Sequence, residues 1–168
     1  EIHEQPKAIR DTMSQRIAKD GKTIVMEELK WDKDFLDSVN KIAVVACGTA
    51  YHAGLVGKSY IEKLVRMPVE IDVASEFRYK DPIIDEKTLT IVVSQSGETS
   101  DTLAALKEAG RRGSRTLAIT NVVGSSIARE ADQVIYTWAG PEIAVASTKA
   151  YTTQLVAFFM LALYMAEI

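Results

Sequence analysis

Thr90-Ile91-Val92-Val93-Ser94-Gln95-Ser96-Gly97-Glu98-Thr99-Ser100-Asp101-Thr102-Leu103 is the stretch that decides how this chain folds. An apolar, β-branched run ends in a loop crowded with hydroxyls. A helix-like segment, Asp101 to Arg112, follows at once. A strand that runs through such a loop into a helix N-terminus makes an anion site: unpaired backbone N–H groups face outward and the helix dipole favours negative charge. Ser94, Ser96, Thr99 and Ser100 add hydroxyls, Gln95 adds an amide, and the loop holds no Lys or Arg. The guest implied is a phosphate held by neutral donors, with the rest of its molecule nearby. The plainer alternative is a capped turn, a common use of Ser, Thr and Gly. Four hydroxyls and an amide within seven positions, directly behind an apolar strand, favour the anion site.

Outward from this unit, the chain alternates strands and helices. Ile42 to Ala46 reads as a buried strand. Tyr51 to Val65 reads as a helix with apolar positions Leu55, Tyr60, Ile61 and Leu64. Val69 to Val73 is a second strand behind Pro68, and Leu89 to Val93 the third. Arg115 to Ile119 is the fourth, Ser125 to Ala131 a short helix, and Gln133 to Tyr136 the fifth strand. A long helix runs from about Thr148 to the end. Five strands with intervening helices imply a parallel sheet covered on both faces, an α/β domain over residues 41–168. In such sheets ligands bind beyond the carboxyl ends of the strands. Residues 1–40 read as a helical arm. Pro6 suits a first turn, Ile9, Met13 and Ile17 form one stripe, Asp20-Gly21-Lys22 breaks it, and Asp32 to Val39 is a short second helix.

Composition narrows the function. The chain has 168 residues, 47% apolar and 26% charged, an ordinary globular balance. Twenty basic and 23 acidic residues leave a net charge of −3, which argues against nucleic acid or an anionic membrane as partner. The single cysteine, Cys47, excludes an internal disulfide and a multi-cysteine metal site, and suits a reducing cytoplasm. A chain beginning Glu-Ile-His reads as a piece of a longer protein, without a signal peptide. Leu155 to Ala166 is twelve apolar residues in a row, short of the roughly 20 that a spanning helix needs. A helix apolar on every side is buried on every side. The expectation is that one small domain cannot cover it and that the chain self-associates as a two-fold dimer.

Other constellations are weaker. Cys47-Gly48-Thr49-Ala50-Tyr51 is a second turn into a helix N-terminus, open either to a ligand's close approach or to a plain turn. Neither G-x-G-x-x-G nor G-x-x-x-x-G-K-[ST] is present, so dinucleotide and triphosphate loops are absent. Cys47 ends an apolar strand and reads as a small buried hydrophobe rather than a nucleophile. Pro141 to Ala150 is a third polar cluster, in which Ser147 or Thr148 suits an N-cap and Val145 and Ser147 can meet a ligand over the sheet edge. Glu98 and Glu142 stand where a base is conceivable, but beside a phosphate loop they read as capping or electrostatic elements. Two histidines and one cysteine give no metal-ligand spacing.

Ala46-Cys47-Gly48-Thr49-Ala50-Tyr51-His52-Ala53-Gly54, Ala74-Ser75-Glu76-Phe77-Arg78, Ser94-Gln95-Ser96-Gly97-Glu98-Thr99, Thr120-Asn121-Val122-Val123-Gly124-Ser125-Ser126 and Val145-Ala146-Ser147-Thr148-Lys149-Ala150 resemble the sugar isomerase (SIS) domain family. More narrowly they are similar to the isomerase half of the glutamine–fructose-6-phosphate aminotransferase family, along essentially the whole chain. The resemblance implies a flavodoxin- or Rossmann-like three-layer sandwich. It implies that Thr49, Ala50, Ser94, Gln95, Ser96 and Thr99 bind fructose 6-phosphate or glucosamine 6-phosphate, with Val145 and Ser147 near the sugar. Many members carry Ser where this chain has Ala50, so only the backbone N–H remains there. It further implies a glutaminase domain ahead of this segment, a second SIS subdomain after it, a homodimer, and a cytoplasmic enzyme of amino-sugar synthesis. The family's isomerising glutamate, substrate-contacting lysine and ring-opening histidine fall beyond the matched segment, and the glutaminase cysteine before it. No catalytic residue, metal or cofactor is therefore assigned. The competing reading is a sugar-phosphate-sensing SIS module of a regulator. The arm from Ile2 to Asn40 shows no basic recognition helix to support it.

Overall fold

β-Branched and apolar residues run unbroken through three segments, and each becomes a strand buried on both faces. These are β1 (Lys41–Ala46), β3 (Thr88–Ser94) and β4 (Arg115–Thr120); β2 (Val69–Val73) and β5 (Gln133–Tyr136) are the edges. The computed structural model describes residues 1–168. All strand pairs are parallel, in the order β2-β1-β3-β4-β5. The chain therefore steps outward from β1 to β2, then restarts on β1's other side with β3. The carboxyl ends of β1 and β3 flank that reversal, where open α/β sheets leave a crevice.

Seven α-helices surround the sheet, with a short 3₁₀ turn at Ile2–Glu4. Alternation along each strand sorts the core into two layers. Val44, Ala46, Ile91, Val93, Leu117 and Ile119 face α3 (Gly48–Leu64) and α7 (Lys149–Glu167). Val45, Val92 and Ala118 face α4 (Ala74–Phe77), α5 (Ser100–Arg111) and α6 (Ser126–Glu130). α1 (Gln5–Ser14) and α2 (Lys33–Asp37) precede β1. Met26, Leu29, Trp31 and Val39, also ahead of β1, belong to the larger core layer.

Several local expectations change. The Ile9–Met13–Ile17 stripe is not one helix face. α1 stops at Ser14, and Ile17 pairs with Ile24 in an isolated antiparallel bridge. Its buried positions are Ala8 and Thr12, and the Thr12 hydroxyl bonds the carbonyls of Ala8 and Thr137. On α3 the buried side is Ala50, Ala53, Gly54, Gly57 and Ile61, whereas Leu55 and Leu64 are exposed. Small residues prevail there because α7 comes close: a Cβ on Gly57 would sit 2.5 Å from Phe158 Cγ. α7 is also not bare. It packs against α3, α1 and the sheet, and Phe159, 44% exposed, is its one large apolar side chain in the open. No helix is long and apolar enough to cross a membrane. The α4 turn had no signal in the sequence beyond Ala74 and Phe77, which it buries.

Candidate functional site

Two strand-to-helix loops meet at the reversal point. Ala46 pairs with Val93 across β1 and β3, so the turn at Cys47 and the loop after Ser94 leave the sheet side by side. α3 begins at Gly48 behind the N-cap Cys47, and α5 begins at Ser100 behind the N-cap Thr99. Neither helix receives a side-chain cap. The amides of both first turns are thus open to an acceptor, and both dipoles present their positive ends.

Hydrogen bonds inside the loop fix its shape. Gly97 N donates to Ser94 Oγ at 3.1 Å, and Glu98 N donates to Ser96 Oγ at 3.2 Å. Ser94 Oγ and Thr99 Oγ1 lie 2.9 Å apart. When Ser94 donates in that pair, the Thr99 hydroxyl proton is left for a guest. The carbonyl of Gln95 accepts from Asn121 N, and that of Gly97 from Ile127 N, which ties the loop to the segment after β4. Gly97 has φ +66°, and an added Cβ would run into Ser125 Oγ, with Ser125 Cβ at 2.5 Å and Thr120 Oγ1 at 2.9 Å. Only glycine fits.

Glu98 is an exposed brace. Its carboxylate accepts from Ser126 N at 2.8 Å, and hydrogen bonds from Ser126 hold its pKa below the usual carboxylate value. Glu142 is more deeply engaged. It accepts from the backbone of Thr148 at 3.0 Å and Ala150 at 3.1 Å, and from Ser147 Oγ at 2.9 Å. Thr148 holds the N-cap position of α7, one of the two residues expected there, but its side chain makes no cap bond and Glu142 accepts from the backbone amides instead. Burial pushes the Glu142 pKa up, but these donors outweigh burial and the net shift is downward. Both carboxylates are engaged by donors of the flanking helices and loops, so each serves as a brace.

Between these elements lies a cleft of about 430 Å³. Thr49, Ala50, Ser94, Gln95, Ser96, Thr99, Val145 and Ser147, read as candidates from separate parts of the sequence, all line it. Val145 stands fully exposed at the mouth, and Ala50 is buried. Ser147 spends its proton on Glu142, so toward the cleft it offers lone pairs. Cys47 and Gly48 also line the cleft, as do Thr102 and Gln154, which sequence reading missed. Both lie inside helical segments, where their only signal is polarity at a buried position. A wider hollow of about 790 Å³ adjoins the cleft through Gln95 and Glu142, but no helix N-terminus opens into it. The cleft can seat a phosphate against uncharged donors with a small polar body beside it. It holds no nucleophile–base pair.

The family model described as the SIS domain matches residues 35–164. The glutamine–fructose-6-phosphate aminotransferase [isomerizing] of Clostridium tetani is 68% identical over 167 residues, 99% of this chain and 27% of the relative. The protein of the same name from Caldanaerobacter subterraneus subsp. tengcongensis is 66% identical, over 97% of this chain and 27% of its own length. Among solved structures, the C-terminal domain of glucosamine-fructose-6-phosphate aminotransferase from Francisella tularensis superposes with a TM-score of 0.90 at 41% identity, over 99% of this chain and 46% of that one. The chain spans about a quarter of the length of the curated relatives it matches. Since the family match runs from α2 to α7 through both loops that wall the cleft, the chain belongs to the SIS domain family.

Proposed function

We propose that the cleft binds a sugar phosphate, fructose 6-phosphate or glucosamine 6-phosphate, with the phosphate against Ser94–Thr99 and the open N-termini of α3 and α5. Thr49, the Ala50 amide, Ser94, Gln95, Ser96 and Thr99 hold the phosphate end, and Val145 and Ser147 border the sugar. The observation that carries this reading is the pair of uncapped helix N-termini facing one hydroxyl-lined cleft. Such a site takes an anion without a counter-cation. The relatives' names, which include fructose 6-phosphate, support the choice of sugar.

On the same reading the chain is the sugar-phosphate-binding part, residues 41–168 behind an arm of 1–40, of a cytoplasmic enzyme that makes glucosamine 6-phosphate from fructose 6-phosphate and glutamine. Isomerisation needs a base positioned at the reacting carbons, and the cleft walls supply none. The base, a glutaminase domain and a second SIS subdomain would come from elsewhere in such an enzyme. Coverage of less than half of the Francisella domain supports the second subdomain. Homodimerisation rests on the resemblance alone, because the covered α7 removes the packing argument for it. Titration of this chain with fructose 6-phosphate and with inorganic phosphate tests the reading. Saturable binding of both, with the sugar phosphate tighter, is expected; binding of neither refutes it.

A further inference from the structure

Two polar side chains in the cleft wall have no partner within the protein. Thr102 Oγ1, on the first turn of α5, and Gln154 Oε1, on α7, are sealed from solvent and make no hydrogen bond. Gln154 is 3% exposed and Thr102 is fully buried, yet both line the cleft. Nearly all buried polar groups in folded proteins find a partner, because an unpaired one forfeits its hydration. Gln154 sits at the start of the apolar Leu155–Ala166 run, where methionine would fill similar space without that cost. Its amide is therefore out of place unless something enters the cleft.

The chemistry of the unpaired atom narrows what enters. An amide carbonyl only accepts, and so does a phosphate dianion. The two cannot serve each other. The loop and the two helix N-termini already provide donors for phosphate. A carbohydrate hydroxyl, by contrast, donates to a carbonyl and accepts from an amide. We propose that Gln154 is the specificity residue of the cleft, hydrogen-bonding a hydroxyl of the sugar and so separating sugar phosphates from phosphate alone. This rests on the sugar-phosphate reading above, and the test distinguishes the two.

Affinities for inorganic phosphate and for fructose 6-phosphate are measured on the wild-type chain and on Gln154→Met, with urea unfolding alongside. The wild type should prefer fructose 6-phosphate. Gln154→Met should lose about tenfold of that preference, the value of one hydrogen bond. It should keep its phosphate affinity and unfold at equal or higher urea, since an unpaired amide is gone. An unchanged preference in the variant overturns the role of Gln154 and leaves the sugar-phosphate reading standing. A wild-type chain that binds neither ligand overturns both. Gln154→Leu repeats the measurement with a second apolar side chain. Marked destabilisation in both variants means that the amide serves the fold, and this too overturns the proposal.

Discussion

Gly97→Ala puts the loop's backbone to the test. The residue has φ +66°, where a Cβ clashes with its own carbonyl, at roughly 1–2 kcal/mol. The new methyl would also run into Ser125 Oγ and lie 2.5 Å from Ser125 Cβ and 2.9 Å from Thr120 Oγ1. Overpacking of this kind costs about 1–3 kcal/mol. Together the terms give about 2–5 kcal/mol, a large share of a typical domain stability of roughly 5–15 kcal/mol. The neighbour provides an internal control. Ser125 N-caps α6 without a side-chain hydrogen bond, and its hydroxyl has no partner. Ser125→Gly should therefore cost only a few tenths of a kcal/mol through the cap. In the double variant most of the packing term disappears and the φ term of about 1–2 kcal/mol stays. Urea denaturation of the four proteins, analysed as a double-mutant cycle, measures this coupling. Gly97→Ala within 0.5 kcal/mol of wild type, or no coupling to Ser125→Gly, would refute the claim that the loop is held tight between α5 and α6.

Other consequences follow from the same contacts. Ser96→Ala and Thr99→Ala should each weaken sugar-phosphate binding by roughly 1–3 kcal/mol, as for a hydrogen bond lost to a charged group; calorimetry showing unchanged affinity in both folded variants would count against the phosphate assignment. Glu142 has a folded pKa below its ordinary 4.5, so its contribution to stability is complete above pH 4.5 and is lost as pH falls through the lower folded value; Glu142→Gln should flatten that part of the pH–stability curve, and an unchanged curve would contradict the capping role. Purified chain given fructose 6-phosphate with glutamine or ammonia should form no glucosamine 6-phosphate above background; turnover abolished by a cleft substitution would place the missing base within this chain.

What was legible in the sequence, and what was not, divides along physical lines. Strand positions such as Val69–Val73 and Gln133–Tyr136 could be read because an apolar run between turn residues has few other fates. The Ser94–Thr99 loop was legible because its chemistry lies in consecutive residues. The buried face of α3 was not. Its small residues matter only through Phe158, a hundred positions away, and hydropathy pointed to Leu55 and Leu64 instead. The N-cap of α7, Thr148, was legible, but the carboxylate that accepts from the amides there is Glu142, well ahead of the first turn where a cap is sought. Thr102 and Gln154 reach the cleft only because α5 and α7, on opposite faces of the sheet, both start at its carboxyl edge.

The central claim is that a phosphate sits between the open N-termini of α3 and α5. Backbone amide chemical shifts during titration with fructose 6-phosphate test it most directly. The account predicts saturable shifts concentrated at residues 48–50 and 94–102. Saturable shifts elsewhere, with those two segments silent, would contradict it.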